Sequence, residues 1–293
     1  MTVPNDNNQV SHLIRLIDDR DEFVRTKVRE QLIHIGEDAL PFLQIATRTE
    51  NLNLRALASE IIQAILPGQL GEKFRQLVLS ARGGDIDLEQ GVIFLMQFRY
   101  PGTGPEKIPA LLDKIAEKLG SRLNPDDSPQ QVVQQMTRLL FIEEGFAGND
   151  SSYTDPDNSY FNKVLERKTG IPITLSALCL LIARRLHLPI VGVGLPGHYI
   201  VKYASATDPI YFDPFHQGRI LQRKDCIRLV ESVGHQFEEH HLSQATHRET
   251  LVRMMNNLVA AYDQTNELEK SRHLKEYINI LLGSPRSFPA NSP

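Results

Sequence analysis

The segment from Asp155 to Phe215 constrains the fold more than any other part of this 293-residue chain. Within it, an apolar helical pattern over residues 171–186 is followed by short segments rich in β-branched and aromatic residues. Two of these predicted strands each carry one polar residue of interest, His198 in G-H-Y-I-V and Asp213 in Y-F-D-P-F. A helix followed by strands that carry a His and an Asp is typical of Cys-His-Asp hydrolases and acyltransferases.

The composition excludes several classes of protein. The net charge is −4, which argues against general nucleic-acid binding, because nucleic-acid binders usually carry a basic face. No run approaches the ~18 apolar residues that a membrane helix needs, and the N-terminus has no pattern of a secretory signal. The only two cysteines, Cys179 and Cys226, do not suggest a disulfide framework. We therefore predict a cytoplasmic protein that has neither nucleic acid nor membrane as partner.

Apolar periodicity divides the chain into a helical N-terminal part, a mixed central part and a helical C-terminal part. The N-terminal pattern D-x-x-D-x-x-V-R, then Gly, then A-L-P-x-L, resembles a HEAT-type helical repeat, and a plain helical extension is the alternative. Pro67 to Gly71 predicts a boundary. We predict a HEAT-like segment at residues 1–66 and an α+β core at residues 70–235. A TPR-like helical hairpin is predicted at residues 246–283 and a disordered tail at residues 284–293.

His198 and Asp213 are fifteen residues apart, so neighbouring antiparallel strands could place their side chains side by side. Asp213 would then accept a hydrogen bond from the imidazole and fix its tautomer. A reactive cysteine belongs at the N-terminus of the preceding helix, where the helix dipole favours the thiolate. Cys179 instead lies two turns into that helix on an apolar stripe, and Cys226 lies on another. We predict that both are inert core residues.

Several motifs occur in an order that points to one family. They are F-I-E-E-G-F-A-G-N-D (141–150), Y-T-D-P-D-N-S (153–159), V-L-E-R-K-T-G-I-P-I-T-L-S (164–176), G-V-G-L-P-G-H (192–198) and Y-F-D-P-F (211–215). This segment resembles the transglutaminase-like superfamily and, within it, the SirB family, also called regulator of sirC expression. The resemblance implies an α+β, predominantly α fold, with a transglutaminase-like (papain-like) core and a small antiparallel sheet flanked by helical repeat segments. It also implies that His198 and Asp213 are the family's His and Asp.

This sequence has no cysteine at the position where the family resemblance places the catalytic cysteine. In active transglutaminase-like proteins G-x-C opens the helix, and a G-I-P-like turn follows some fifteen residues later. Both landmarks put Pro172 at the position of the cysteine. The resemblance therefore implies a non-catalytic protein that acts in regulation or protein–protein interaction. The alternative is a peptidase- or amidase-type hydrolase or an acyltransferase that uses the His198–Asp213 pair with Thr174 or water as the attacking group.

Other polar residues near these motifs have two interpretations. Asn149 and Asn158 are predicted to be turn and capping residues, and Gly197 to be part of a hairpin turn. The alternative is that they line a cleft beside His198, together with Pro172.

A metal site is the last alternative that the sequence leaves open. His198, Asp213 and His216 could cluster, and His240 and His241 lie within reach in the sequence. Zinc ligands usually occur at recognisable spacings, which these residues do not show. We therefore predict no metal and no cofactor.

Overall fold

The apolar stripes of the N-terminal part form four helices in the computed structural model, which describes residues 6–205 and 208–283. Gly36 ends the second helix with a φ of 71°, as the sequence predicts, because glycine adopts this conformation without strain. Buried side chains of all four helices meet in one hydrophobic cluster. The helices are α1 (Asp6–Leu16), α2 (Glu22–Ile35), α3 (Leu40–Ala46) and α4 (Leu52–Ser80).

Helix α4 continues through Pro67, where the sequence pattern suggested a break. An internal proline costs a helix about 3 kcal/mol. The apolar face on either side of it is nevertheless continuous, since Ile62, Leu66, Leu70 and Phe74 recur every four residues and are buried. The chain divides into two compact units between Phe74 and Arg75, within this helix. The HEAT-like character of the first unit and the predicted domain bounds stay predictions.

The second unit is mostly helical, with one small antiparallel sheet and a two-residue parallel strand pair. This confirms the predicted α+β, predominantly α, fold class. Its helices are α5 (Leu88–Arg99), α6 (Lys107–Gly120), α7 (Pro129–Thr137), α8 (Phe161–Arg167), α9 (Pro172–Arg185), α10 (Arg223–Ser232), α11 (His247–Gln264) and α12 (Leu268–Leu282). Its strands are β1 (Ala147–Gly148), β2 (Thr169–Gly170), β3 (Ile190–Leu195), β4 (His198–Tyr203), β5 (Ile210–Asp213) and β6 (Arg219–Leu221).

Helix α9 is the central element of this unit. Every residue from Pro172 to Ala183 is buried, and the helix packs against β3 and β4 on one side and against α6 and α11 on others. Strands β3, β4, β5 and β6 form an antiparallel meander in sequence order. The meander brings the start of β4 and the end of β5 to the same end of the sheet, because neighbouring strands run in opposite directions.

The C-terminal helical hairpin, predicted within residues 246–283, is present as α11 and α12. Helix α11 also packs on α5, and the Tyr262 hydroxyl lies 2.8 Å from that of Tyr160 in the core. The TPR-like character of the hairpin stays a prediction. The sequence did not predict β1, β2 or β6. Two of these strands have two residues each, and β6 has three residues of which two are exposed, so none shows a readable alternation.

The predicted disordered tail, 284–293, lies outside the described residues. Within the described residues, no helix is long and apolar enough to cross a lipid bilayer.

Candidate functional site

The structure brings His198 and Asp213 into direct contact. His198 is the first residue of β4, and Asp213 is the last residue of β5. The His198 Nε2 atom lies 2.8 Å from Asp213 Oδ2. A two-residue hairpin turn at Pro196 and Gly197 precedes His198, and Gly197 has a φ of 72°, as a Pro-Gly type II turn requires. The turn thus sets where β4, and with it the imidazole, begins.

The second ring nitrogen of His198 has no hydrogen-bond partner in the described part of the chain. His198 Nδ1 makes no hydrogen bond to any residue that the structure describes. It is also absent from the buried unpartnered polar atoms of these residues, which are Gln69 Nε2, Asn162 Oδ1 and Ser271 Oγ. The imidazole is therefore oriented by Asp213 on one side and reachable by solvent on the other.

A second imidazole binds the same carboxylate oxygen. His216 Nδ1 lies 2.7 Å from Asp213 Oδ2. The other carboxylate oxygen, Oδ1, accepts hydrogen bonds from the backbone N–H of Phe215 at 3.0 Å and, more weakly, of His216 at 3.4 Å. The turn closes with the Gly218 N–H donating to the Asp213 carbonyl, and Gly218 has a φ of 71°. Asp213 thus organises its own turn through one oxygen and holds two imidazoles through the other.

These contacts determine the charge of Asp213. Its side chain is only 2% exposed, and burial by itself raises the pKa of a carboxyl group. The hydrogen bonds and charges of His198 and His216 outweigh that effect, so the pKa of Asp213 lies below its ordinary value of 3.8. Asp213 is therefore a buried carboxylate at neutral pH.

Aromatic rings surround the pair. The ring of Phe215 lies 6.3 Å from that of His198, 5.2 Å from that of His216 and 6.0 Å from that of Tyr153, each at a steep angle. Tyr153 is 47% exposed and Phe215 is buried. Burial raises the pKa of Tyr153, although the charge of Arg253 acts in the opposite direction. The site therefore has an apolar edge that ends in a half-exposed tyrosine.

Arg253, on α11, supports the start of β4 from the C-terminal hairpin. Its Nη2 donates to the His198 carbonyl at 2.9 Å, and its guanidinium lies over the Tyr199 ring at 5.5 Å. Burial lowers the pKa of Arg253, and no carboxylate of the described residues lies within 4 Å of it. Arg253 therefore fixes the backbone that carries His198.

The start of α9 carries no available nucleophile. Pro172 is the first residue of the helix and is buried. The Thr174 hydroxyl accepts from the Ile171 N–H at 3.1 Å and lies 2.8 Å from the Asn158 carbonyl, to which it donates. Thr174 is fully buried. Its hydroxyl thus closes the first turn of the helix and attaches the preceding loop to it, as expected of a capping residue.

Asn149 and Asn158 form hydrogen bonds within the loop that precedes α8. Asn149 Nδ2 donates to Asn158 Oδ1 at 2.9 Å, and Asn158 Nδ2 donates to the carbonyl of Ser152 at 2.7 Å. Asn158 is 1% exposed, so the hydrogen bonds of its amide are buried and hold the loop together. These contacts agree with the predicted turn and capping roles. No contact of either asparagine with His198 occurs among the described residues.

Both cysteines are buried and unpaired, as the sequence predicts. Burial raises the pKa of the Cys179 thiol well above its ordinary value. Burial, together with the charge of Asp225, raises the pKa of Cys226 to about 11. Neither thiol forms a reactive thiolate at neutral pH. Within the described chain, no hydroxyl or thiol lies within hydrogen-bond distance of a His198 ring nitrogen.

Comparison with known proteins shows the family of this part of the chain. The model of the transglutaminase-like superfamily matches residues 106–256, just over half of the chain. The chain belongs to the transglutaminase-like superfamily. The matched residues include α9, the whole antiparallel sheet and both members of the His198–Asp213 pair.

Similar proteins come from bacteria and animals. A UPF0162 protein of Xylella fastidiosa strain 9a5c is 30% identical over 199 residues, which are 66% of this chain and 71% of that protein. A UPF0162 protein of Pseudomonas aeruginosa is 27% identical over 61% of this chain and 66% of its own. Human F-box only protein 21 is 31% identical over 59% of this chain, but this covers only 28% of that protein. No solved structure gave a significant match.

The structure thus places the His198 and Asp213 side chains in contact, within the matched region, and their roles as base and orienting carboxylate stay predictions. The sequence predicted this pair, and it also named His216 as a possible neighbour, although it predicted no metal there. It did not predict the contributions of Tyr153 and Arg253. Arg253 lies 55 residues from His198 in the chain, so only the packing of α11 on the core brings the two together.

The role of Thr174 can be tested by removing its hydroxyl. We expect Thr174→Val to lower the free energy of unfolding by about 1–3 kcal/mol, because the Asn158 carbonyl and the Ile171 N–H lose a buried partner. Thr174→Ser keeps the hydroxyl and serves as the matched control, with a smaller loss. Urea denaturation followed by circular dichroism measures both. A Thr174→Val variant as stable as the wild type would contradict the structural role.

The lowered pKa of Asp213 predicts a pH-dependent contribution to stability. A carboxylate with a depressed folded-state pKa stabilises the folded protein fully above the unfolded-state pKa of about 3.9, and this contribution is lost as pH falls through the folded-state pKa. We expect Asp213→Asn to lower the free energy of unfolding at pH 6 by about 1–3 kcal/mol. The difference from the wild type should shrink when urea denaturation is repeated below about pH 4.

The control for this series is Asp113→Asn. Asp113 is 66% exposed and pairs with Arg185 at the surface, so its substitution should change stability less, because water screens exposed pairs. If Asp213→Asn lowered the free energy of unfolding equally at pH 6 and pH 3.5, the contribution of the ionised Asp213 to stability would be contradicted.

Proposed function

We propose that this protein is a non-catalytic member of the transglutaminase-like superfamily, of the SirB type, that acts in regulation or protein–protein interaction. One observation carries the proposal. His198 and Asp213 are in contact, and the first residue of α9 is Pro172, which the family resemblance predicts to occupy the position of the superfamily's cysteine. A base without a nucleophile cannot form the covalent intermediate on which this chemistry depends.

The alternative is a hydrolase or acyltransferase that uses Thr174 or water. Thr174 is a poor candidate, since its hydroxyl already accepts one hydrogen bond and donates another inside the core. Using it as a nucleophile would require breaking both bonds and moving the buried start of α9. Water at the open His198 Nδ1 remains the only version of this alternative that needs no rearrangement.

Three features support a role in protein interaction. The predicted HEAT-like and TPR-like segments, at residues 1–66 and 246–283, are of types that commonly bind proteins. F-box only protein 21 matches this chain over 28% of its own length, so in that protein the shared region is one part of a larger chain. The site has a half-exposed aromatic edge at Tyr153, and such residues are enriched in binding hot spots. The unpaired buried thiols support a cytoplasmic location.

Restoring the missing thiol tests whether Pro172 occupies the nucleophile position. We expect the thiol of Pro172→Cys to react with iodoacetamide at pH 7 at least about ten times faster than that of Pro172→Cys/His198→Ala, because a neighbouring imidazole stabilises the thiolate. Mass spectrometry of labelled peptides gives the two rates, and the buried Cys179 and Cys226 are internal references. Equal rates in the two variants would show that position 172 does not face His198 and would remove the main support for the proposal.

The interaction role can be tested with a photoreactive amino acid in place of Tyr153. We expect crosslinking in the protein's own host cell to give discrete adducts with a partner, and few from the control position Leu111, which is 44% exposed on α6. With the purified partner, Tyr153→Ala should weaken binding at least about tenfold, and Leu111→Ala should not. If the wild type instead hydrolyses amides or transfers acyl groups, and His198→Ala abolishes this, the protein is an enzyme and the proposal is wrong.

A further inference from the structure

A second use of the site follows from three side chains that meet at one point. His198 Nε2, Asp213 Oδ2 and His216 Nδ1 all lie within 4.8 Å of one another. The two nitrogens lie 2.8 and 2.7 Å from the shared oxygen. Two histidines and one carboxylate are a donor set that divalent transition metals favour, and it leaves open coordination positions.

The carboxylate of this cluster has few ionisable partners. Asp213 is buried, and its only ion-pair partners among the described residues are the two imidazoles. No Lys or Arg of the described residues lies within 4 Å of its oxygens. A divalent cation at this position would therefore meet a buried carboxylate and no competing basic side chain from the described part of the chain.

The side chains must move apart slightly to hold an ion. In a tetrahedral site, metal–ligand bonds of about 2.0–2.2 Å place neighbouring ligand atoms about 3.3–3.6 Å apart. The two nitrogen–oxygen distances, 2.8 and 2.7 Å, are shorter than this by roughly half an ångström or more. His216 can make the adjustment, because its side chain is 55% exposed, whereas Asp213 is fixed by the backbone N–H groups that bind Oδ1.

The tautomers also permit ligation. A metal requires a lone pair on His198 Nε2 and on His216 Nδ1, so each ring must carry its proton on the other nitrogen. Neither His198 Nδ1 nor His216 Nε2 makes a hydrogen bond to a described residue, so each can carry a proton without losing a protein contact. The exposed side of His216 leaves room for water as a further ligand.

We propose that His198, Asp213 and His216 form a binding site for one divalent transition-metal ion of the Zn²⁺ class. Nitrogen and carboxylate donors suit Zn²⁺ better than Ca²⁺ or Mg²⁺, which prefer oxygen ligands. The site uses the family's His–Asp pair and adds His216 from the turn after β5. This inference does not depend on the proposed function.

The test uses the purified full-length protein, stripped with a chelator and then dialysed. Titration with ZnCl₂ by calorimetry should give saturable binding of one equivalent at the site, and Co²⁺ should give a visible absorption spectrum of a nitrogen- and oxygen-ligated ion. His216→Ala should weaken Zn²⁺ binding at least about 100-fold, because it removes one of three protein ligands. Because His216→Ala also removes a hydrogen bond to Asp213, the metal effect is read as the rise in thermal stability on Zn²⁺ addition, which this variant should lose, relative to its own stripped form.

The matched control is the double variant His240→Ala/His241→Ala. The centres of these two rings lie 4.3 Å apart, so the pair offers two imidazoles for adventitious metal binding. The double variant should keep the single site, the Co²⁺ spectrum and the rise in thermal stability on Zn²⁺ addition. Absence of saturable binding to the wild type would overturn the proposal. So would binding that survives His216→Ala or that disappears in the double variant.

Discussion

The complete burial of helix α9 is the constraint on which the second unit depends. Twelve consecutive residues, Pro172 to Ala183, have no exposed face, so every polar group among them needs a partner inside the protein. Thr174 binds the Asn158 carbonyl of the preceding loop, and Ser176 donates to the carbonyl of Tyr199 in β4 at 3.4 Å. The same hydroxyls that satisfy the helix therefore fix the loop on one side of it and the sheet on another.

The position of the site follows from that attachment. Ser176 holds β4 at Tyr199, Arg253 holds the same strand at the His198 carbonyl, and the Pro-Gly turn sets where the strand begins. Three independent elements thus fix the first two residues of β4, while among the described residues only Asp213 makes a hydrogen bond to the imidazole of His198. A site of this kind has a rigid backbone, and its chemistry depends on what occupies the open side of the ring.

Local patterns were sufficient to predict most of this core. The β-branched and aromatic runs located β3, β4 and β5, and the spacing of His198 and Asp213 was compatible with the contact that the structure shows. Features that depend on tertiary packing could not be predicted from local sequence patterns. Pro67 is tolerated within α4, where a continuous buried face extends on both sides of it, and Arg253 reaches His198 only because α11 packs on the core. The shared use of Asp213 Oδ2 by two imidazoles depends on the turn that ends at Gly218.

The retention of Asp213 has a physical implication of its own. In an enzyme with a cysteine nucleophile, the carboxylate stabilises the imidazolium that forms when the histidine takes the thiol proton. No thiol or hydroxyl of the described residues lies within hydrogen-bond distance of a His198 ring nitrogen, yet Asp213 is buried and its pKa lies below its ordinary value. Burying a carboxylate is costly unless its partners compensate for the lost hydration, and apolar residues of similar volume are often at least as stabilising. His198 and His216 supply such partners through their hydrogen bonds, and the proposed metal ion would supply a further one.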